Sequence, residues 1–147
     1  MVGRASKQSD ANAAPPALQP DANAAPPALH ELESEVMEEL WTRGEASVRE
    51  VMAELNARTS KERAYTTYMT IMARLHRKGL LARRREGKTD FYAPALARDE
   101  YMERRARVEV EDLVAQYGDV ALSHFAQQMS ALDPARRRAL QRLARKG

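Results

Sequence analysis

The chain contains no cysteine in 147 residues. A disulfide scaffold, a thiolate metal site and a cysteine nucleophile are therefore excluded. Aromatics are scarce, with Trp 1, Phe 2 and Tyr 5, so the core of large side chains must be small. The hydrophobic fraction of 44% overstates it. Ala alone supplies 26 residues, and a buried Ala contributes far less than a buried Leu. No run approaches the roughly 18 apolar residues of a membrane span. Residues 1–7 lack the apolar stretch of a secretory signal. These absences lead us to expect a soluble cytoplasmic protein with no membrane partner. His30, His76 and His124 are scattered without metal-ligand spacing. No Ser-His-Asp set, carboxylate pair or glycine-rich phosphate loop occurs. The expectation is a non-enzyme, with no catalytic residue, metal or cofactor.

What is present begins with a repeat. Residues 8–18 read QSDANAAPPAL and residues 19–29 read QPDANAAPPAL, identical at 10 of 11 positions. Two copies fall short of a stacked repeat architecture. Pro15-Pro16 and Pro26-Pro27 favour polyproline II, and Ala, Asn and Pro offer little apolar area against the entropy of ordering. Residues 1–28 therefore read as a disordered Ala/Pro-rich tail, either a duplicated linker or a docking motif.

The remainder is patterned. Leu32, Val36, Met37, Leu40 and Trp41 keep helical spacing over about 31–43, and Gly44 stops that helix. Ala46-Ser47-Val48 is a short extended piece. Ser47 and Glu50 form a capping box for a helix over about 48–55. A basic connector, 57–63, leads to a third helix over about 64–78, with Tyr68, Ile71, Met72 and Leu75 inward. Residues 80–82 and 91–92 read as two strands around the turn Glu86-Gly87-Lys88-Thr89. Three helices follow, over about 100–117, 120–131 and 134–145, with Asp99, Asp119 and Asp133 as their caps. The fold class is mainly α with a small β-hairpin wing. A winged helix-turn-helix domain, 29–97, precedes a helical domain, 98–147. In such a fold the third helix enters the DNA major groove and the hairpin reaches the backbone beside it.

Charge is distributed unevenly. Residues 30–56 hold eight acids and two bases, a net −6, and residues 57–88 hold ten bases and two acids, a net +8. A basic cluster confined to the third helix, its leading loop and the wing is the footprint of nucleic-acid binding. With Tyr68 and Leu75 inward, Thr66, Thr70 and Arg74 lie on the opposite face, with Thr67 beside them. Thr hydroxyls and methyls can read base edges, and Arg74 can chelate a guanine. Arg63 and Tyr65 at the helix start, and Arg84 and Lys88 on the wing, are phosphate candidates, whereas Arg83 and Arg85 alternate to the other strand face. A rival reading is a winged-helix interaction module whose basic face docks an acidic partner protein.

Four segments carry a family resemblance: LESEVMEELW (32–41), ASVREVMAEL (46–55), AYTTYMTIMARLHRKGLL (64–81) and GKTDFYAP (87–94). With them the chain resembles the BlaI/MecI/CopY penicillinase-repressor family of winged-helix transcriptional repressors. The resemblance implies a homodimer on a palindromic operator, with the C-terminal helices intertwined. Met102, Leu113, Val114, Tyr117, Leu122, Phe125, Met129, Leu140 and Leu143 would form the dimer interface. They are too few for an isolated core, which a second copy would double. The absence of cysteine excludes the copper-sensing branch. The β-lactam-responsive branch implies control of β-lactam resistance or related stress genes. It also implies inactivation by a sensor-dependent protease, cutting before a Phe that aligns with Phe125. Here His124 precedes that Phe where the branch has Asn.

Overall fold

The computed structural model describes residues 25–147. The first repeat copy and most of the second lie outside the described residues, and with them residues 1–24 of the tail 1–28 expected to be disordered; residues 25–28 of that tail are described. Helix α1 spans Glu31–Arg43. Val36, Met37 and Leu40 are fully buried along one face, as their spacing requires. Helix α2 spans Val48–Ala57 and opens with the expected capping box. The Glu50 N–H donates to Ser47 Oγ at 3.2 Å, and the Ser47 N–H donates to Glu50 Oε1 at 2.8 Å. Helix α3 spans Tyr65–Arg77 and buries Tyr68, Met72 and Leu75 completely, with Ile71 only partly covered.

Strands β1 (Ala46–Ser47), β2 (Leu81–Glu86) and β3 (Thr89–Pro94) form an antiparallel sheet in the order β1-β3-β2. Ala46 pairs with Tyr92, and Leu81 with Pro94. In the two-residue connection Gly87-Lys88 only Gly87 has positive φ, at 64°, the pattern of a type II′ turn. The side chains of α1, α2 and α3 share one apolar cluster with Ala46, Leu80, Leu81, Tyr92 and Tyr101. Three helices and a hairpin on one core make this a winged helix-turn-helix.

Helices α4 (Arg98–Tyr117), α5 (Asp119–Ser130) and α6 (Pro134–Lys146) follow. Helix α4 begins one residue before Asp99. That carboxylate therefore lies inside the first turn, where it favours the helix dipole, and not at the cap. Gly118, at φ 61°, occupies the N-cap of α5 ahead of Asp119. Asp133 caps α6 as expected, its Oδ1 accepting from the Arg136 N–H at 2.9 Å.

The chain divides between Arg105 and Ala106 into two compact units. That point is about two turns inside α4, beyond the 97/98 junction expected from sequence. The reason is local. Tyr101 is buried in the first unit, its ring 5.5 Å from that of Trp41, and Arg98 Nε donates to Glu38 at 2.9 Å. In the second unit no residue is buried. Its α5 ends on Arg137, whose guanidinium donates to the carbonyls of Met129 and Leu132 at 3.2 and 2.8 Å.

Candidate nucleic-acid interface

The start of α3 differs from the starts of α1 and α2. Those two helices carry acids in the first turn, Glu31 and Glu33 in one and Glu50 in the other. Helix α3 has none, and its N-cap, Ala64, makes no side-chain cap bond. The positive end of its dipole is left without a protein anion. Phosphate is a group that such an end accepts.

Asn56 fixes that end in place. Its Nδ2 donates to the Arg63 carbonyl at 2.9 Å. Its Oδ1 accepts from the Arg63 N–H at 3.1 Å and from the buried Tyr68 hydroxyl at 2.8 Å. One amide therefore joins the end of α2, the connector and the core face of α3. Asn56→Ala would leave the Tyr68 hydroxyl buried without a partner. We expect a loss of roughly 2–3 kcal/mol, read as a lowered urea midpoint. An unchanged midpoint would remove this network from the account.

Thr66, Thr67, Thr70 and Arg74, singled out from the sequence, line one shallow hollow together with Ile71. A second groove runs between the start of α2, α3 and the hairpin tip, and it brings Tyr65 and Lys88 together with Arg49 and Met69. The Arg49 guanidinium lies 4.9 Å over the Tyr65 ring. Met69 is 43% exposed. Neither Arg49 nor Met69 was expected. By sequence Arg49 belongs to the acidic stretch, and only the packing of α2 against α3 brings it to this side. Met69 had a signal: four residues from Tyr65, it makes a second apolar row off the buried stripe.

The remaining candidates sit differently. Arg63 Nη1 is 3.6 Å from Glu35 Oε1, so its side chain turns toward α1. Arg84 donates to Glu45 at 2.9 and 3.1 Å and to Glu86 at 2.6 Å, and stacks on Phe91 at 4.9 Å. These bonds, Glu45 first, raise its pKa, and Arg84 in turn lowers that of Glu45. Arg83 and Arg85 pair across the strands with Tyr92 and Asp90, on the other face from Arg84. That face meets α3, where His76 lies edge-on to Tyr92 at 6.4 Å. Burial and then the charges of Arg83 and Arg77 lower the His76 pKa, so it is neutral at pH 7.

The acidic and basic stretches are interleaved, contrary to the separate faces that the −6 and +8 totals suggest. Arg58 pairs with Glu39 and Glu54, Lys78 with Glu33, and Arg84 with Glu45. The reason is that α1 packs directly on α2 and α3, which brings Glu39 and Glu33 within reach of Arg58 and Lys78, while the sheet brings Arg84 of β2 to Glu45 just before β1. Lys61, Arg77, Arg83 and Lys88 make no ion pair among the described residues. Arg49 likewise makes no ion pair among the described residues and lies over the Tyr65 ring instead.

Glu33 is the most enclosed of the acids, with its side chain 0% exposed. Lys78 Nζ donates to both its oxygens at 2.9 and 3.1 Å, the His30 N–H donates at 2.9 Å, and Arg74 Nη1 stands 3.9 Å away. Burial works to raise its pKa. The His30 N–H and the Lys78 ammonium outweigh it, and the group titrates below its ordinary 4.5. The pair ties α1 to the end of α3 and stands beside Arg74.

Among the described residues no group of His, Asp and Glu is arranged to hold a metal, and no helix is long and apolar enough to cross a membrane. Residues 29–146 match the family described as penicillinase repressor. The transcriptional regulator BlaI of Mycobacterium tuberculosis, in strains CDC 1551 and H37Rv, is 40% identical over 120 residues, covering 77% of this chain and 83% of that protein. Two solution structures are also similar. The DNA binding domain of the repressor BlaI is 28% identical over 53% of this chain and 92% of its own, with a TM-score of 0.45. The monomeric form of Bacillus licheniformis BlaI, in complex with the blaP half-operator, is 29% identical over 52% and 90%, with a TM-score of 0.43.

Proposed function

Because this chain belongs to the penicillinase repressor family, whose matched members are transcriptional regulators and not enzymes, we propose that it represses transcription as a homodimer on a palindromic operator. The observation that carries this reading is the hollow of Thr66, Thr67, Thr70 and Arg74 on the open face of α3, beside a helix start with no anion of its own. In the proposed complex the three threonines and Arg74 meet base edges. Tyr65, Arg49 and Lys88 take phosphate from the adjoining groove, and Arg63 takes phosphate by leaving Glu35. Arg84 reaches phosphate only by releasing Glu45 and Glu86, and so contributes less than Lys88.

The second unit supports the dimer. It buries no side chain, and Leu113, Tyr117, Leu122 and Leu143 are 42, 52, 49 and 62% exposed. A second copy of the same arm is the partner that covers them, with Val114, Phe125, Met129, Leu140 and the 39% exposed Met102 completing the interface. The regulated genes in this proposal are those for β-lactam resistance or a related stress. A sensor-dependent protease cutting at His124–Phe125 would end dimerisation. That bond lies in the middle of α5, so cleavage follows local opening of the helix.

Arg74→Ala is expected to weaken binding to a selected operator by about 1–3 kcal/mol and to relax preference at one base position. Lys88→Ala should weaken all sequences alike and reduce the salt slope by about one. Fluorescence anisotropy on selected and scrambled duplexes across a salt series checks both. Equal affinity for every duplex would sink the reading in favour of a protein-docking basic face.

A further inference from the structure

The described end of the tail is held, and by an unusual pair of donors. Pro26 is buried. Its carbonyl accepts from Arg105 Nη1 at 3.0 Å, and the next carbonyl, that of Pro27, accepts from Tyr101 Oη at 2.8 Å. Leu29 packs against the core. Proline fixes φ and removes a donor. A Pro-Pro step thus keeps an extended shape whose carbonyls find no partner within their own segment. Proteins take such segments on aromatic surfaces. Here the aromatic is Tyr101, whose hydroxyl donates to the Pro27 carbonyl and whose ring centroid lies 5.5 Å from that of Trp41. The indole is itself fixed, since its Nε1 donates to the Leu96 carbonyl at 2.8 Å.

The sequence supplies this ligand twice. Residues 10–18 and 21–29 both read Asp-Ala-Asn-Ala-Ala-Pro-Pro-Ala-Leu. We propose that Tyr101 and Arg105 form a binding site for the Ala-Pro-Pro-Ala-Leu unit, filled by residues 25–29 and able to take residues 14–18 in their place. These two hydrogen bonds go to backbone carbonyls, and the side chains of the two units are identical, so these contacts do not tell the copies apart. They differ in tether. With residues 14–18 in the site, residues 19–29 close a loop, and the entropy of that closure makes the second copy the preferred occupant. The tail thus has two registers, offset by the 11-residue repeat, and vacating one fills the other. This inference does not depend on the DNA reading.

Trp41 is the chain's one tryptophan, so its emission reports the site. In the full chain, replacing all four prolines by Gly (Pro15→Gly, Pro16→Gly, Pro26→Gly and Pro27→Gly) should shift that emission and leave the helical circular dichroism unchanged. Added nonapeptide DANAAPPAL should then restore the parent emission saturably, and a scrambled peptide of the same composition should not. Y101F in that background should raise half-saturation about fivefold, the worth of one hydrogen bond. Pro15→Gly with Pro16→Gly should match the parent. Pro26→Gly with Pro27→Gly should lie closer to the parent than to the four-proline variant, because the first copy moves in. No saturable response to the nonapeptide overturns the site. A two-proline variant indistinguishable from the four-proline one overturns the second register. If the four-proline variant does not fold, limited proteolysis of Y101F in the parent chain decides: faster cleavage within residues 1–29 supports the site, and an unchanged rate overturns it.

Discussion

Leu122→Asp is expected to bind a two-half-site operator on the order of 10²–10⁴ times more weakly than the parent chain, with little change at an isolated half-site. Leu122 is 49% exposed on α5, so a carboxylate there is solvated in the single chain and costs its fold little. In the proposed dimer the same carboxylate is buried in an apolar interface and costs several kcal/mol unless paired. The dimer is lost, and with it the effective concentration that makes the second half-site contact intramolecular. Leu143→Asp, at 62% exposure on α6, should act in the same direction. Mass in solution and affinity for full and half operators must be measured on the same samples. A monomeric variant that holds the full operator as tightly as the parent would refute the two-half-site arrangement.

The elements of the winged unit were legible because each has a local cause. The Ser47–Glu50 box, the stripe of Val36, Met37 and Leu40 and the turn at Gly87 are each decided within a few residues, and each forms as read. The open face of α3, with Thr66, Thr70 and Arg74, was legible for the same reason, since it is the complement of the buried stripe. Electrostatics was less so. A charge total per segment says nothing about which acids the packing of helices and strands brings to which bases. The pairs Arg58–Glu39, Lys78–Glu33 and Arg84–Glu45 join residues 19, 45 and 39 positions apart. Arg49 was misplaced for the same reason.

Glu33 is an acid on an apolar stripe. Its acid character suits the first turn of α1, which by itself suggests an exposed group. Yet positions 33, 36, 37 and 40 keep the three- and four-residue spacing of a single stripe, and the other three are the buried ones. A carboxylate on that stripe must find a cation, and the cation is Lys78. The pair therefore sets where α3 ends relative to α1, and with it the position of Arg74.

Lys78→Met follows from this geometry as a large and specific loss. It strands the Glu33 carboxylate, 0% exposed, with the His30 N–H and an Arg74 guanidinium at 3.9 Å. Breaking a buried pair from one side costs about 3–5 kcal/mol. Lys78 is 26% exposed, which favours the lower end of that range. Roughly 3 kcal/mol in a winged unit of this size lowers Tm by about 12–24 °C. The pH dependence has a definite sign. Glu33 titrates below 4.5 when folded, so the pair stabilises fully above that value and less as pH falls beneath it. The penalty of Lys78→Met should therefore be largest at neutral pH and shrink in acid. Adding Glu33→Met removes the stranded charge and should recover most of the loss, as apolar replacement of both partners commonly does. It should also free Arg74 from its neighbouring carboxylate. Thermal melts of the parent, both singles and the double at pH 7 and pH 4 provide the comparison. A double variant no more stable than Lys78→Met alone would show that the buried carboxylate is not what makes the single substitution costly.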